Sequence, residues 1–214
     1  MKLHIFDVDF TIVRSSTVRA FLFKGLGTGL VGFSLGFYAP VLFIQFLLFG
    51  SRGAHVERAY PFLRGVARED LETMANAVFA DRILPAIDRT VVERIESIRR
   101  GGGRIMIASS SFGIILEPLA RYLGIEEVVA SELEFKDGLT TGRVRGEPAF
   151  GKGKKNRILG YLEEHGLDPL DCAFYSDSSH DLPLLRAVGE AVAVNPGRKL
   201  HRIAQSEGWE ILET

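Results

Sequence analysis

The chain has one cysteine, Cys172, so no internal disulfide can form and a reducing, cytoplasmic setting is expected. It has no excess of one charge. Lys and Arg number 26 against 27 Asp and Glu, the net charge is −1, and no long basic run exists. That argues against a nucleic-acid-binding face. It has no apolar start of the secretory kind, because Asp7 and Asp9 fall where the apolar region of a signal would lie. Internal repeats and low-complexity linkers are missing as well. The largest local absence is of charge: from Gly25 to Ser51 there is not one charged residue.

That charge-free run contains Phe33, Phe37, Phe43, Phe46 and Phe49. By length it is a membrane-span candidate, since about 20 apolar residues cross a bilayer. Gly25/Gly29 and Gly32/Gly36 have the spacing of closely packed membrane helices. Pro40 nevertheless divides it into halves too short to cross, and Ser34, Gln45 and six glycines dilute its hydrophobicity.

What is present is core-forming material: 214 residues with 46% apolar and 25% charged. That suits one large domain, or a core with a sizeable insertion. Lys2–Val8 reads as a short buried strand, with Leu3, Ile5, Phe6 and Val8 apolar and β-prone. A helix is expected to start near Thr17. Residues 68–79 and 90–100 carry helical periodicity, and Gly101-Gly102-Gly103 stops the second. From Arg104 onward strands and helices alternate. Strands are predicted at 104–108, 128–130, 172–176, 191–194 and 209–212, helices from after Ser111 to about 123, 154–165 and 181–188, and a hairpin turns at Asp137-Gly138. This order predicts an α/β fold with a doubly wound parallel sheet. A mostly helical insertion follows the first strand. The division expected is a core of residues 1–16 and 88–214, and a helical cap of residues 17–87 holding the hydrophobic segment 25–51.

Polar groups follow three predicted strands: Asp7 and Asp9 the first, Ser109 the second, and Asp177, with Asp181, the third. Lys152, Lys154 and Lys155 crowd the start of a helix between the last two. In a parallel sheet the strand ends share one edge, where ligands bind. Carboxylates, a hydroxyl and an ammonium there suit a phosphate ester and Mg²⁺. The ion takes oxygen ligands, the ammonium and hydroxyl hold phosphoryl oxygens, and a carboxylate attacks phosphorus.

These motifs, in this order, resemble the haloacid dehalogenase superfamily and its phosphoserine-phosphatase-like branch. The resemblance rests on Asp7-Val8-Asp9-Phe10-Thr11, on Ser109 in IMIASSS with EPLARYLGI after it, on a lysine in GKGKKNRIL, on YSDSSHDLPLL, and on the tail AVAVNPGRKLHRIAQSEGWEIL. It covers residues 1–15 and about 85–214. It implies Asp7 as nucleophile, forming an aspartyl-phosphate, and Asp9 as the acid that protonates the leaving oxygen and then activates water. It implies Mg²⁺ held by Asp7, Asp177 and the backbone carbonyl of Asp9, with Asp181 behind them. Ser109 and Lys155 would meet the phosphoryl group. Lys155 is preferred to Lys154 because Ile158 and Leu159 then follow at the family's usual distance. Thr11 and Ser110 are counted with the substrate-binding residues, Thr11 as a support for its loop and Ser110 with the competing reading, shared by Ser111, of a helix cap. Lys152 and Lys154 read as solvated charges, His180 as a surface histidine, and His4, Cys172 and Trp209 as packing.

The resemblance thus implies a Mg²⁺-dependent phosphatase acting on a small phosphomonoester. It also bears on the apolar run: a single crossing would put Asp7 on one side of a bilayer and Ser109, Lys155 and Asp177 on the other. The run therefore folds back at Pro40 or packs within the cap, which leaves a lipid-like substrate and peripheral membrane contact through 25–51 open. Phosphoserine phosphatases carry a glutamate nine residues after the nucleophile, and here that position is Ser16. Two other classes stay open: a phosphotransferase or mutase with the same intermediate, and a catalytically silent, membrane-associated lipid-binding protein.

Overall fold

The computed structural model describes residues 2–30 and 60–214. Most of the charge-free run, including Pro40 and Phe33 to Phe49, lies outside the described residues.

Six parallel strands form one sheet in the order β3-β2-β1-β6-β7-β8. They are β1 (Leu3–Phe6), β2 (Arg104–Phe112), β3 (Glu127–Ser131), β6 (Cys172–Ser176), β7 (Glu190–Val194) and β8 (Glu210–Leu212). A separate antiparallel pair, β4 (Leu133–Lys136) and β5 (Leu139–Val144), is the expected hairpin. Asp137 and Gly138 both take positive φ at its turn, 52° and 79°.

The alternation within β1 explains why the sheet is covered on both faces. Leu3 and Ile5 join Phe174, Ile158, Leu162, Leu184 and Leu185 on one side. Phe6 joins Tyr175, Ile107, Val91 and Ile95 on the other. Successive side chains point to opposite faces, so a strand buried on both must be apolar throughout. The Phe6 and Tyr175 rings stack with centroids 4.1 Å apart. Cys172 is buried within this core, His4 reaches the Tyr175 hydroxyl at 3.2 Å, and Trp209 packs on the second face.

The helices are α1 (Thr17–Thr28), α2 (Arg68–Val78), α3 (Arg89–Arg100), α4 (Gly113–Leu123), α5 (Lys152–Glu164), the single turn α6 (Leu182–Leu185) and α7 (Arg198–Glu207). Two expectations need correction. The strand predicted to stop at Ala108 runs on to Phe112, with an irregular stretch between Ala108 and Phe112 where pairing with β3 shifts register. The helix predicted over 181–188 is a 3₁₀ turn, Ser179–Asp181, and then α6 alone. Pro183 lacks the N–H that would extend the preceding turn.

After β1 the chain runs through α1 and α2, whose Phe21, Leu71, Ala75 and Val78 share one core with Phe6, and comes back beside its own exit just before α3. The two passages lie side by side: Arg14 N–H donates to Ala86 O at 2.8 Å and Asp88 N–H to Ile12 O at 2.8 Å. Asp88 is fully buried there. Its carboxylate caps α3 by accepting from Thr90 and Val91 N–H and also takes the Arg14 guanidinium at 2.7 Å. Residues 65 and 66 are bonded to the hairpin, where Gly65 N–H donates to Thr140 O and Thr140 N–H to Val66 O. Among the described residues no helix is long and apolar enough to cross a membrane.

Candidate active site

The central place of β1, hydrogen-bonded to β2 on one side and β6 on the other, decides which residues meet. Asp7 extends the ladder one step past β1, its N–H donating to Tyr175 O at 2.9 Å. The chain then turns sharply. Thr11 and Val13 N–H both donate to Val8 O, and Phe10 sits at φ 59° with its ring half exposed. A non-glycine residue in the left-handed region stores strain, which is common where a loop is held for a task.

Thr11, expected at the substrate, is fully buried. Its hydroxyl accepts from Asp177 N–H at 3.1 Å, so it ties the β1 loop to the β6 loop. That places its hydroxyl as a support for the loop. Ser109 is also buried, and its Oγ accepts Ser111 N–H at 3.2 Å, leaving its own proton to donate. Neither Ser110 nor Ser111 caps α4, because β2 runs past both and Phe112 holds the cap position without a side-chain bond. Ser110 is half-buried. Ser111 is buried against Thr17, with their hydroxyls in contact. Thr17 in turn donates to Asp9 Oδ1 twice, from its hydroxyl at 2.6 Å and from its N–H at 3.0 Å.

The lysine at the site is Lys154, which corrects the preference for Lys155. Its Nζ lies 3.1 Å from Asp7 Oδ1 and 2.7 Å from Asp181 Oδ2, with the residue 2% exposed. Helical phase is the reason. Lys154, Ile158 and Leu162 recur every four residues and form the buried face of α5, whereas Lys155 is turned about 100° away and stays half-buried. The reading of Lys154 as a solvated charge fails with it. Gly153 allows the close approach: a Cβ there would stand 2.2 Å from Pro148 O. Asp181 also accepts from Ser176 Oγ at 2.8 Å, so its carboxylate anchors the ammonium from behind. His180 is exposed, as expected, and faces the Phe150 ring at 5.2 Å.

Charge is unbalanced in this buried place. Burial pushes the Asp7 carboxyl up to about 7; Asp181 and Asp177 add to the rise and Lys154 opposes it. Burial and then Asp181 raise Asp177 to about 6. Burial works against the Lys154 charge, but Asp181 and Asp7 outweigh it and its proton is held more tightly than usual. Three carboxylates thus share one ammonium, and the place lacks positive charge. The donors are all oxygens, which suits a hard cation. Among the described residues no three Asp, Glu, His or Cys side chains form a closed metal cage. Mg²⁺ commonly needs no cage: one or two carboxylates, supplemented by waters and substrate, suffice. Asp7 and Asp177, two carboxylates close enough to raise one another's proton affinity, fit that pattern.

Thr17, Ser111 and Ser176 were not singled out for the site from the sequence. Hydroxyl residues at a helix start or strand end have many uses, and only the fold shows which carboxylate each one meets.

Comparison with known proteins shows the family. The model of the haloacid dehalogenase-like hydrolase family matches residues 5–186. A phosphoserine phosphatase of Mycobacterium tuberculosis is 30% identical over 216 residues, covering 96% of this chain and 68% of the relative. A histidinol-phosphatase of Neisseria meningitidis is 34% identical over 150 residues, covering 68% of each. A crystal structure of a protein of unknown function from Bordetella pertussis superposes with TM-score 0.84 at 26% identity, covering 98% of this chain and 97% of that one.

Proposed function

Since this chain belongs to the haloacid dehalogenase-like hydrolases, we propose that it is a Mg²⁺-dependent phosphatase that hydrolyses a small phosphomonoester through an aspartyl-phosphate on Asp7. The observation that carries the reading is the buried meeting of Lys154 with Asp7 and Asp181, with Asp177 beside them and surplus negative charge left over.

Phosphoryl transfer depends on positioning and on neutralising charge. Lys154 holds Asp7 in place and offsets the charge of nucleophile and phosphoryl group. Ser109 donates its hydroxyl proton to a phosphoryl oxygen. An Asp7 oxygen forms a bond to phosphorus as the ester P–O bond breaks, and the leaving oxygen takes its proton from the Asp9 carboxyl. Asp9, now a carboxylate, removes a proton from the water that attacks phosphorus. The Asp7–phosphoryl bond breaks, and inorganic phosphate leaves with Asp7 and Asp9 restored. Asp7, Asp177 and the Asp9 carbonyl would hold Mg²⁺, which would supply further charge neutralisation during the transfer.

The relatives bear names of two different phosphomonoesterases, which supports the class and leaves the leaving group open. Ser16 serves as the N-cap of α1, its Oγ accepting Arg19 N–H at 3.4 Å, so no carboxylate stands there to grip an amino acid. Phe10, 48% exposed between Asp9 and Thr11, favours an apolar leaving group as the second reading. Initial rates on phosphoserine, histidinol phosphate, phosphocholine and lysophosphatidate, with Mg²⁺ and with chelator, test both. Hydrolysis that requires Mg²⁺, is lost in Asp7→Asn and leaves a phosphoryl adduct on Asp7 in acid-quenched protein supports the mechanism. Undiminished Mg²⁺-dependent turnover by Asp7→Asn would falsify it. A clear preference for phosphoserine removes the apolar reading.

A further inference from the structure

We propose that Thr17 and Ser111 are positioning residues for Asp9, forming a buried hydroxyl chain from β2 through the first residue of α1 that fixes the Asp9 carboxyl for proton delivery. The inference rests on the assignment of Asp9 as the acid.

The direction of the chain follows from proton counting. A threonine hydroxyl has one proton to give. At 2.6 Å from Asp9 Oδ1, Thr17 gives it to that oxygen. Ser111 Oγ touches Thr17 Oγ1, so Ser111 is the donor in that pair. The Ser111 N–H donates in turn to Ser109 Oγ. Thr17 and Ser111 are both buried, where a hydroxyl without a partner is costly, so each link holds the next in one orientation.

Two donors therefore converge on Oδ1, the Thr17 hydroxyl and the Thr17 N–H. Among the described residues no donor is bonded to Oδ2, so that oxygen is left to exchange a proton with the substrate. Turning the carboxyl over would break both bonds at once. After the proton has gone, the same donors stabilise the carboxylate left behind. The chain also joins parts of the protein that are far apart in sequence. Ser111 lies on the strand that carries Ser109, and Thr17 opens the helix that begins the insertion. The acid, the phosphate-side hydroxyl and the start of the inserted stretch are thereby held in one register.

The test compares kcat/KM for two aryl esters in wild type, Thr17→Val, Thr17→Ser, Ser111→Ala and Asp9→Asn. Phenyl phosphate has a basic leaving group that needs a proton. The p-nitrophenolate of p-nitrophenyl phosphate leaves without one. Loss of a positioned acid selectively slows the first ester, since general acid catalysis contributes roughly 10²- to 10⁴-fold. Asp9→Asn sets the scale of that selectivity. Thr17→Val and Ser111→Ala are expected to lose about tenfold or more on phenyl phosphate and about twofold or less on p-nitrophenyl phosphate. Thr17→Ser, which keeps the hydroxyl, is expected to stay close to wild type on both. Equal losses on the two esters, or no loss, with Asp9→Asn still selective, overturn the hydroxyl chain and leave Asp9 as the acid. No selectivity in Asp9→Asn overturns the assignment of Asp9 and this inference together. If Thr17→Val does not fold, the contrast of Ser111→Ala with Thr17→Ser decides.

Discussion

Lys154 Nζ stands 3.1 Å from Asp7 Oδ1, and both side chains are almost wholly removed from solvent. The neighbouring Lys155 does not share that face of the helix. Substituting the two lysines in turn separates a buried ammonium from a peripheral one. Lys154→Met is expected to lower kcat by about 10²- to 10³-fold, the range seen when a preorganised electrostatic partner is removed. Lys155→Met is expected to stay within about threefold of wild type, as a site off the buried face implies. Steady-state kinetics on one Mg²⁺-saturated substrate checks both, and a larger loss in Lys155→Met would reverse the assignment.

Asp7 and Asp177 predict how stability follows pH in chelator-treated protein. Their folded values, about 7 and about 6, lie above the ordinary 3.8. A carboxyl raised on folding favours the native state fully below its unfolded value, and that support is lost as pH rises through the folded value. Metal-free protein should therefore lose stability between about pH 4 and pH 7, by on the order of 2–4 kcal/mol from Asp7. Saturating Mg²⁺ should restore about 2–3 kcal/mol near neutral pH when it stands at about a hundred times its dissociation constant. Denaturant midpoints across that pH range, with and without Mg²⁺, measure this. Asp7→Asn should flatten the metal-free profile; a profile equally steep in the variant would contradict the assignment.

Gly153 lets the first turn of α5 lie against Pro148, with only 2.2 Å available to an added Cβ. Gly153→Ala must push backbone from backbone, a misfit of about 1–3 kcal/mol. The displaced turn carries Lys154, so activity should fall about tenfold or more even at temperatures where the variant remains folded. Circular dichroism paired with kinetics distinguishes this from simple unfolding, and full activity in a folded Gly153→Ala protein would show that the turn can move without consequence.

Asp88, itself buried, combines a helix cap with an ion pair to the exposed Arg14 where the chain after β1 and the chain before α3 lie side by side. Asp88→Ala should cost about 2 kcal/mol, roughly one for the cap and the remainder for lost bonds in a buried place. In a protein of this size that lowers Tm by about 4–8 °C. Arg14→Ala should move Tm in the same direction by less, because its side chain is mostly exposed. Calorimetry on both variants checks the order of the two effects.

Much of this was legible beforehand. An apolar strand running into Asp7, serines following RIMIA, and Asp177 following CAFYS indicated a parallel sheet with its polar groups on one edge. The identity of the lysine was not legible, because a single residue of helical phase separates Lys154 from Lys155. That phase is set by α5 starting at Lys152 and by Gly153 fitting under Pro148. The end of β2 was hidden for a related reason. Three serines look like a loop, yet neighbouring β3 continues the pairing as far as Phe112 and Ser131. The buried partners of Asp9 could not be read at all, since Thr17 and Ser111 are 94 residues apart and meet only once the chain has folded.

β1 is bonded along both edges and packed on both faces. Amides in such a strand exchange with solvent only when the whole domain opens. The Asp7 carboxylate, the nucleophile proposed above, therefore hangs from a strand of that kind, while the stretch between β1 and α3 joins it at its margin. Loosening at that margin would alter which esters are admitted well before it disturbed the attacking oxygen, so selectivity should drift on warming while intrinsic chemical competence holds until global melting.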